Sequence, residues 1–387
     1  DTDNSLVVTG GGGIYIYGPQ VEEGTTASDF VANTTGSPKF ITGPTFGPRV
    51  PMILVEPSAT NLVPVSEDFS NAAWTKNNAS VTGGFTSPDG TNNAFLMTDD
   101  ATDSKHGVYE IDICPQDSSI YTRSVFVKKG TARYIVLSCR HLPTSSGTSW
   151  IYDTDANDWA LTGSGGVDQS IENYGDGWVR LSISHISNSN FNNDFSIGIA
   201  NGATVSDASY SGSGDSVYIW GAQIETGSVA TSLIPTSGGD AAARTRASDN
   251  LEISGSSFSS FFNTGGDGTF FVTAQIKNPE GQHATLRGGS NSQLYVYTNS
   301  SAEHFAYDGG SNVNSYAIVT ENQLTNFAIS YNSSTFTVSK DGRSDSSLST
   351  TGNLSNATKL EIGKGYSTGF CGHFRRIIYW PYSSDRL

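Results

Sequence analysis

The chain has 387 residues, enough for two or three domains with cores of their own. It carries 43 Gly and only 2 Met, and Phe, Tyr and Trp together make up 11%; with helix formers scarce and β-formers abundant, a helical fold is excluded. The formal charge of −16 speaks against nucleic acid, whose phosphates need a basic surface, and against charge-driven adhesion to anionic lipid.

Taken from the N-terminus, the first legible element is Ile14–Val31, which returns as Val217–Thr236. Both copies run an apolar and aromatic strand into Gly-x-Gln-(Val/Ile)-Glu-x-Gly, Gly18 matching Gly221 and Gly24 matching Gly227. A self-match at fixed register marks modules that composition hides, and the glycines permit bends that a Cβ would strain. The element reads as the last strand of a β-sandwich plus the exit from it. Residues 1–60 therefore read as an N-terminal strand and an extended connector arm. The five prolines between residues 38 and 57 forbid a regular helix there.

Residues 61–236 read as one whole domain. Strands are expected at Val108–Ile113, Tyr121–Val127, Tyr134–Ser138, Trp150–Tyr152, Trp178–Ser184, Phe195–Ala200 and Val217–Trp220. Period-two alternation and flanking Gly, Asn, Asp or Pro carry the assignment. So many short strands without a helix between them give a jelly-roll sandwich. Residues 237–250 are small and polar, a linker. Residues 251–387 carry a second strand series: Thr269–Ile276, Gln293–Tyr297, Asn326–Tyr331, Thr335–Ser339, Lys359–Gly363 and His373–Trp380. Lys340-Asp-Gly-Arg343 reads as a hairpin turn. The expected fold is all-β: two β-sandwich domains behind an extended arm.

The three cysteines (Cys114, Cys139, Cys371) include no C-x-x-C pair, so buried free thiols are expected rather than a disulfide framework or zinc site. No apolar run reaches 18 residues, so membrane insertion is not expected. Glu110-Ile-Asp-Ile113 puts two carboxylates at strand spacing, the raw material of glycoside hydrolysis. Residues 114–116 (Cys, Pro, Gln) add no further acid, and a strand edge is the plainer reading. Asp153-Thr-Asp-Ala-Asn-Asp158 imitates a calcium loop without its glycine and final glutamate; it reads as a hairpin tip. The six histidines are scattered, and Gly10–Gly13 precedes a strand, which does not cradle phosphate.

Four ordered motifs then carry a resemblance: Asn61–Trp74, Tyr121–Lys128, Gly175-Asp-Gly-Trp-Val-Arg180 and Trp220–Gly227. Together they resemble a module of tailed-phage structural proteins that is similar to jelly-roll carbohydrate-binding modules. The later series, ending in Arg375-Arg-Ile-Ile-Tyr-Trp-Pro381, resembles the concanavalin A-like, laminin-G-type domains that end many phage fibre proteins. The resemblance implies a non-enzymatic tail-fibre, spike or decoration protein on the virion surface. It would touch other virion proteins and bind host-surface glycans during adsorption, as a homo-oligomer with a trimer favoured. A depolymerase acting on capsule or algal polysaccharide, and a purely structural capsid or fibre protein, are the alternatives. Sugars lay apolar faces on aromatic rings, so Trp74, Trp150, Tyr152 and Trp159 are candidate glycan contacts in the first domain. Tyr295, Tyr297, Tyr307 and Tyr316 are those in the second. Trp178, Trp220 and Trp380 sit inside strand motifs and read as core. No cofactor is expected beyond a structural calcium, with Asp99, Asp100 and Asp103 as its candidate ligands.

Overall fold

The computed structural model describes residues 52–140, 147–187, 194–237, 243–249, 251–263, 266–277, 281–288, 292–298, 304–307, 312–315, 323–332, 335–349, 357–363 and 371–382. The first repeat copy, most of the expected arm and Tyr316 lie outside these residues.

In chain order the strands begin with β1 (Ile53–Val55), β2 (Ala59–Asn61), β3 (Thr75–Asn77), β4 (Ala79–Phe85), β5 (Ala94–Asp99) and β6 (Asp103–Glu110). Next come β7 (Ile120–Lys129), β8 (Tyr134–Ser138), β9 (Ser149–Asp153), β10 (Asp158–Leu161), β11 (Gly166–Gly175) and β12 (Trp178–Ile186). β13 (Phe195–Ala200), β14 (Ser209–Ser211), β15 (Ser216–Thr226), β16 (Arg244–Arg246) and β17 (Leu251–Ser254) follow. After the one-turn helix α1 (Gly255–Ser259) come β18 (Gly268–Ile276), β19 (Gly281–Gly288), β20 (Ser292–Thr298), β21 (His304–Tyr307) and β22 (Asn312–Ser315). The series ends with β23 (Leu324–Tyr331), β24 (Thr335–Lys340), β25 (Arg343–Ser349), β26 (Ala357–Ile362) and β27 (Gly372–Trp380). The fold is all-β, as composition and alternation require. Among the described residues no helix is long and apolar enough to cross a membrane.

Two compact units form, and their boundaries differ from those expected. One spans Ser58–Ala247; the other joins Met52–Pro57 to Ser248 onward. The expectation placed residues 1–60 outside both sandwiches and made 237–250 a linker. Instead β1 is an edge strand of the second unit, pairing with β27 so that Leu54 faces His373. β16 pairs with β2, Thr60 facing Thr245. The first sandwich is thus an insertion in the second. Each unit ties its own pair of crossing segments together. In one, the Glu56 N–H donates to Asp249 Oδ2 at 2.9 Å; in the other, the Thr60 and Thr245 hydroxyls meet at 2.8 Å. Such pairing joins residues far apart in sequence, and no local pattern announces it.

The inserted unit packs the sheet β10-β9-β8-β13-β6-β14 against β11-β12-β7-β15-β5-β4. Its main core draws Val108, Ile135, Leu137, Trp150 and Ile197 from the first sheet and Val125, Val127, Leu181, Ile219 and Ile224 from the second. The outer unit pairs sheets β1-β27-β18-β23-β24-β25 and β17-β26-β19-β20-β21-β22. Its core centres on Phe270, Val272, Phe327, Ile329, Leu360 and Phe374. The Lys340–Arg343 turn links β24 to β25, with Asp341 at φ 49° and Gly342 at φ 80°. Two successive positive φ values define the primed turn that matches strand twist. All three cysteines are buried and free.

β15 shows why the repeated motif needs its glycine. Register slips between Trp220 and Gln223, a bulge that adds twist. Gly221 there has φ +62°, and a Cβ would stand 2.8 Å from Leu233 Cδ2 and 3.0 Å from Phe126 Cδ2. The chain beyond, Ser228–Thr236, folds back as a strap. Asn61 fastens its end: the buried carboxamide donates to Ala222 O and Ile234 O and accepts from the Val63 and Ile224 N–H groups. All four of its hydrogen-bonding positions are filled.

Candidate functional site

Strands β12, β7 and β15 are buried along nearly their whole length, so both faces of this sheet are covered. Side chains alternate along a strand; on β7, Tyr121, Val125 and Val127 enter the main core, and Thr122, Ser124, Phe126 and Lys128 take the opposite face. Register extends each of these into a row. Thr122 lies between Ser184 and Glu225, and Ser124 between Ser182 and Gln223. Phe126 lies between Arg180 and Trp220, and Lys128 between Trp178 and Tyr218.

The strap covers the two polar rows. Glu225 Oε1 accepts from the Thr231 N–H at 2.8 Å and from Gln223 Nε2 at 2.6 Å, and Oε2 from the Thr231 hydroxyl at 2.7 Å. The Ile234 N–H donates to Gln223 Oε1 at 2.7 Å, and Arg180 donates to Thr231 O at 2.5 Å. Burial pushes the Glu225 carboxyl up, against the lowering influence of Arg180 and these donors. Gln223-x-Glu225 of the second repeat copy is therefore a latch.

The two aromatic rows form a second apolar cluster, separate from the main core. Ala94, Phe126, Trp178 and Trp220 are its buried floor; Phe85, Tyr174, Tyr218 and Leu233 are its half-buried rim. Phe85 meets Tyr218 edge-on at 5.1 Å and Tyr174 meets Phe126 at 4.8 Å, with Trp220 4.9 Å from Phe126. The Arg180 guanidinium stands 5.1 Å over the Phe126 ring. The Gly175-Asp-Gly177 turn that feeds Trp178 into its row has φ values of 82°, 49° and 81°, a run that glycine makes possible. The arrangement is an aromatic platform whose rim rings keep surface in water, with hydroxyls on Tyr174 and Tyr218 and an ammonium on Lys128.

Three of the residues expected to touch sugar do not reach the surface. Trp74 is 1% exposed and donates to Val65 O at 2.8 Å; Trp150 is 0% and Tyr152 3% exposed. All three belong to the main core, where large aromatics bury most area. Trp159 is half-buried beside Tyr152, at 6.1 Å. In the outer unit the register sets Tyr295 opposite Tyr307 and Tyr297 opposite Phe305, bringing those candidates to adjacent positions. Trp178 and Trp220 are buried, as their strand setting suggested, yet in the second cluster; Trp380 is half-buried against Phe271. Sequence reasoning missed Phe85, Tyr174 and Tyr218. The alternation Val217-Tyr-Ile-Trp220 was a signal that Tyr218 faces away from the core.

The aspartates proposed for calcium do not form a cation site. Asp99 Oδ1 accepts from the Ser213, Gly214 and Asp215 N–H groups and Oδ2 from the Tyr210 hydroxyl, so its lone pairs are already taken. Asp100 turns to the Thr102 N–H, and Asp103 is exposed at the start of β6. Among the described residues no group of three or more His, Cys, Asp or Glu could hold a metal ion. Asp153 closes the hairpin between β9 and β10, held by Arg133 at 2.8 Å.

The Glu110/Asp112 pair also comes apart. β6 ends at Glu110, and Asp112 has φ +53° in the turn beyond, so the carboxylates share no strand face. Glu110 Oε2 is buried without a hydrogen-bond partner among the described residues, and burial pushes its carboxyl from 4.5 to about 7. The folded protein thus holds a proton that the unfolded chain releases. This contribution is full below about 4.5 and is lost as pH rises to about 7. Glu110→Gln is expected to match the parent at pH 4 and exceed it at pH 8 by about 2 kcal/mol, a figure reduced for partial exposure. Denaturant titrations at the two pH values measure it; equal stability at both would contradict the burial.

No protein-family model matches the chain, and no curated protein does. Among solved structures the chain is similar to mouse laminin alpha1 chain domains LG4-5, at 8% identity over 92% of this chain and 95% of that one, TM-score 0.27. It is similar to the Ruminococcus gnavus IT-sialidase CBM40 bound to alpha2,3 sialyllactose at 9% identity over 31% and 79%, TM-score 0.28. With galectin LEC-6 of Caenorhabditis elegans the values are 10% identity over 33% and 90%, TM-score 0.26. Likeness at this level leaves function to the chain's own geometry. By that geometry the chain is an all-β protein of two sandwiches, one inserted in the other.

Proposed function

We propose that the protein binds glycans without cleaving them, through the aromatic platform on β12, β7 and β15. One observation carries the reading: Tyr174, Tyr218 and Phe85 keep ring surface in water on a sheet face whose floor is Phe126, Trp178 and Trp220. Rings fixed by a packed floor lose little freedom when a sugar stacks on them. Neighbouring hydroxyls and Lys128 supply polar handles. The sequence resemblance supports the finer reading of a tail-fibre, spike or decoration component on a virion, acting in adsorption to host-surface glycans. A single shallow site is weak, and a homo-oligomer such as a trimer would raise avidity through effective concentration.

Glycan-array binding by the full chain tests this. Tyr218→Ala is expected to weaken binding about tenfold or more, as loss of an aromatic anchor does, with the thermal transition retained. Unchanged binding would move the site elsewhere. New reducing ends after incubation with a bound polysaccharide would make the protein an enzyme.

A further inference from the structure

We infer, resting on the glycan-binding reading above, that the aromatic platform selects acidic glycans, with Lys128 as the residue that reads their charge. Lys128 stands at the centre of the outermost aromatic row, opposite Trp178 on one side and Tyr218 on the other. It is half-buried, and a Cβ on Gly177 would lie 3.6 Å from its Cε, so the β11–β12 turn runs along its stem. Among the described residues its ammonium has no hydrogen-bond or ion-pair partner. The next residue, Lys129, is by contrast paired with Asp155.

Among the described residues two more donors of the same face lack acceptors. Trp220 Nε1 and Arg180 Nε are buried without partners, in side chains 5% and 2% exposed. The acceptors nearby are engaged: Glu225 by Gln223 and Thr231, and Glu172 by the Tyr174 hydroxyl at 3.3 Å. Glu172 also lies across from Arg180 in register. Among the described residues the face therefore carries three donors without acceptors, inside a chain whose net charge is −16. The half-buried Lys128 ammonium between aromatic rings offers a carboxylate or sulfate a charge-assisted hydrogen bond. A neutral sugar offers stacking and hydroxyl contacts without that charge.

The test uses the full chain and uronic-acid oligosaccharides (polygalacturonate, alginate and hyaluronan fragments), each beside its carboxyl-reduced neutral counterpart. At low salt at least one acidic form should bind about tenfold tighter than its neutral partner, the factor of one hydrogen bond to a charged group. Lys128→Met should remove that difference, Lys128→Arg should restore it, and Tyr218→Ala should weaken both forms. Equal binding of the two forms with a silent Lys128→Met overturns the charge inference and leaves the glycan-binding reading standing. No binding of either form, or a silent Tyr218→Ala, removes the reading and the inference together. A change of sedimentation behaviour in Tyr218→Ala without sugar binding would do the same, by assigning the face to a second copy of the chain.

Discussion

Glu225→Ala is expected to lower the stability of the inserted unit by about 3–5 kcal/mol, the cost of removing one member of a buried charged network. The carboxylate is 1% exposed and receives the Thr231 N–H, the Thr231 hydroxyl and Gln223 Nε2. Without it, the Thr231 amide and the Gln223 amide lose an acceptor in the interior, and Arg180 loses the nearby charge that offsets its own burial. Donors left unsatisfied under the strap cost more than an exposed pair would. Glu225→Gln keeps the volume and one carbonyl acceptor and should lose a smaller part of the stability. All tryptophans but Trp380 lie in this unit, so fluorescence-detected denaturation reports on it. A loss below about 1 kcal/mol, the range of an exposed ion pair, would mean that the strap is anchored elsewhere.

Trp74→Ala is expected to be as severe, about 3–5 kcal/mol for a large aromatic removed from a core. Its ring lies 4.8 Å from Phe69 and 6.2 Å from Phe195, and its indole N–H is satisfied by Val65 O. Cavity and lost hydrogen bond add, because the surrounding strands cannot collapse onto the gap. Trp74→Phe should recover most of the packing and forgo the bond. Sugar binding per folded molecule should be unchanged in Trp74→Phe, which separates a core tryptophan from a stacking one. Loss of binding at full stability would restore Trp74 to the surface role first expected of it.

The contrast between Trp74 and Tyr218 shows how far local reading reaches. Both sit in motifs of the kind that suggested ligand contact or core, and their aromatic character is equally plain. What differs is the partner surface. Trp74 meets Phe69 and Phe195, the latter from β13, far along the chain. Tyr218 meets Phe85 and shares a row with Lys128. Strand length and alternation follow from neighbours two residues apart and are legible. Which of two faces carries the larger core depends on a second sheet whose residues are distant in sequence. Where both faces are covered, as on β7, β12 and β15, alternation loses its polar half and the sign of the pattern disappears.

The sequence alone determined the all-β class, the hairpin at Lys340–Arg343, the free buried thiols and the bend at Gly221. Each of these depends on side-chain chemistry within a few residues: branched and aromatic strands, turn glycines, unpaired cysteines. Tertiary structure decided the rest. It sent β1 to β27 and β2 to β16, turned Gln223 and Glu225 into a latch for the strap, filled Asp99 with backbone donors, and set Lys128 between Trp178 and Tyr218. Those outcomes are pairings between segments far apart along the chain. Their register is fixed by which faces can be buried together, a property of the assembled sheets that no short stretch possesses.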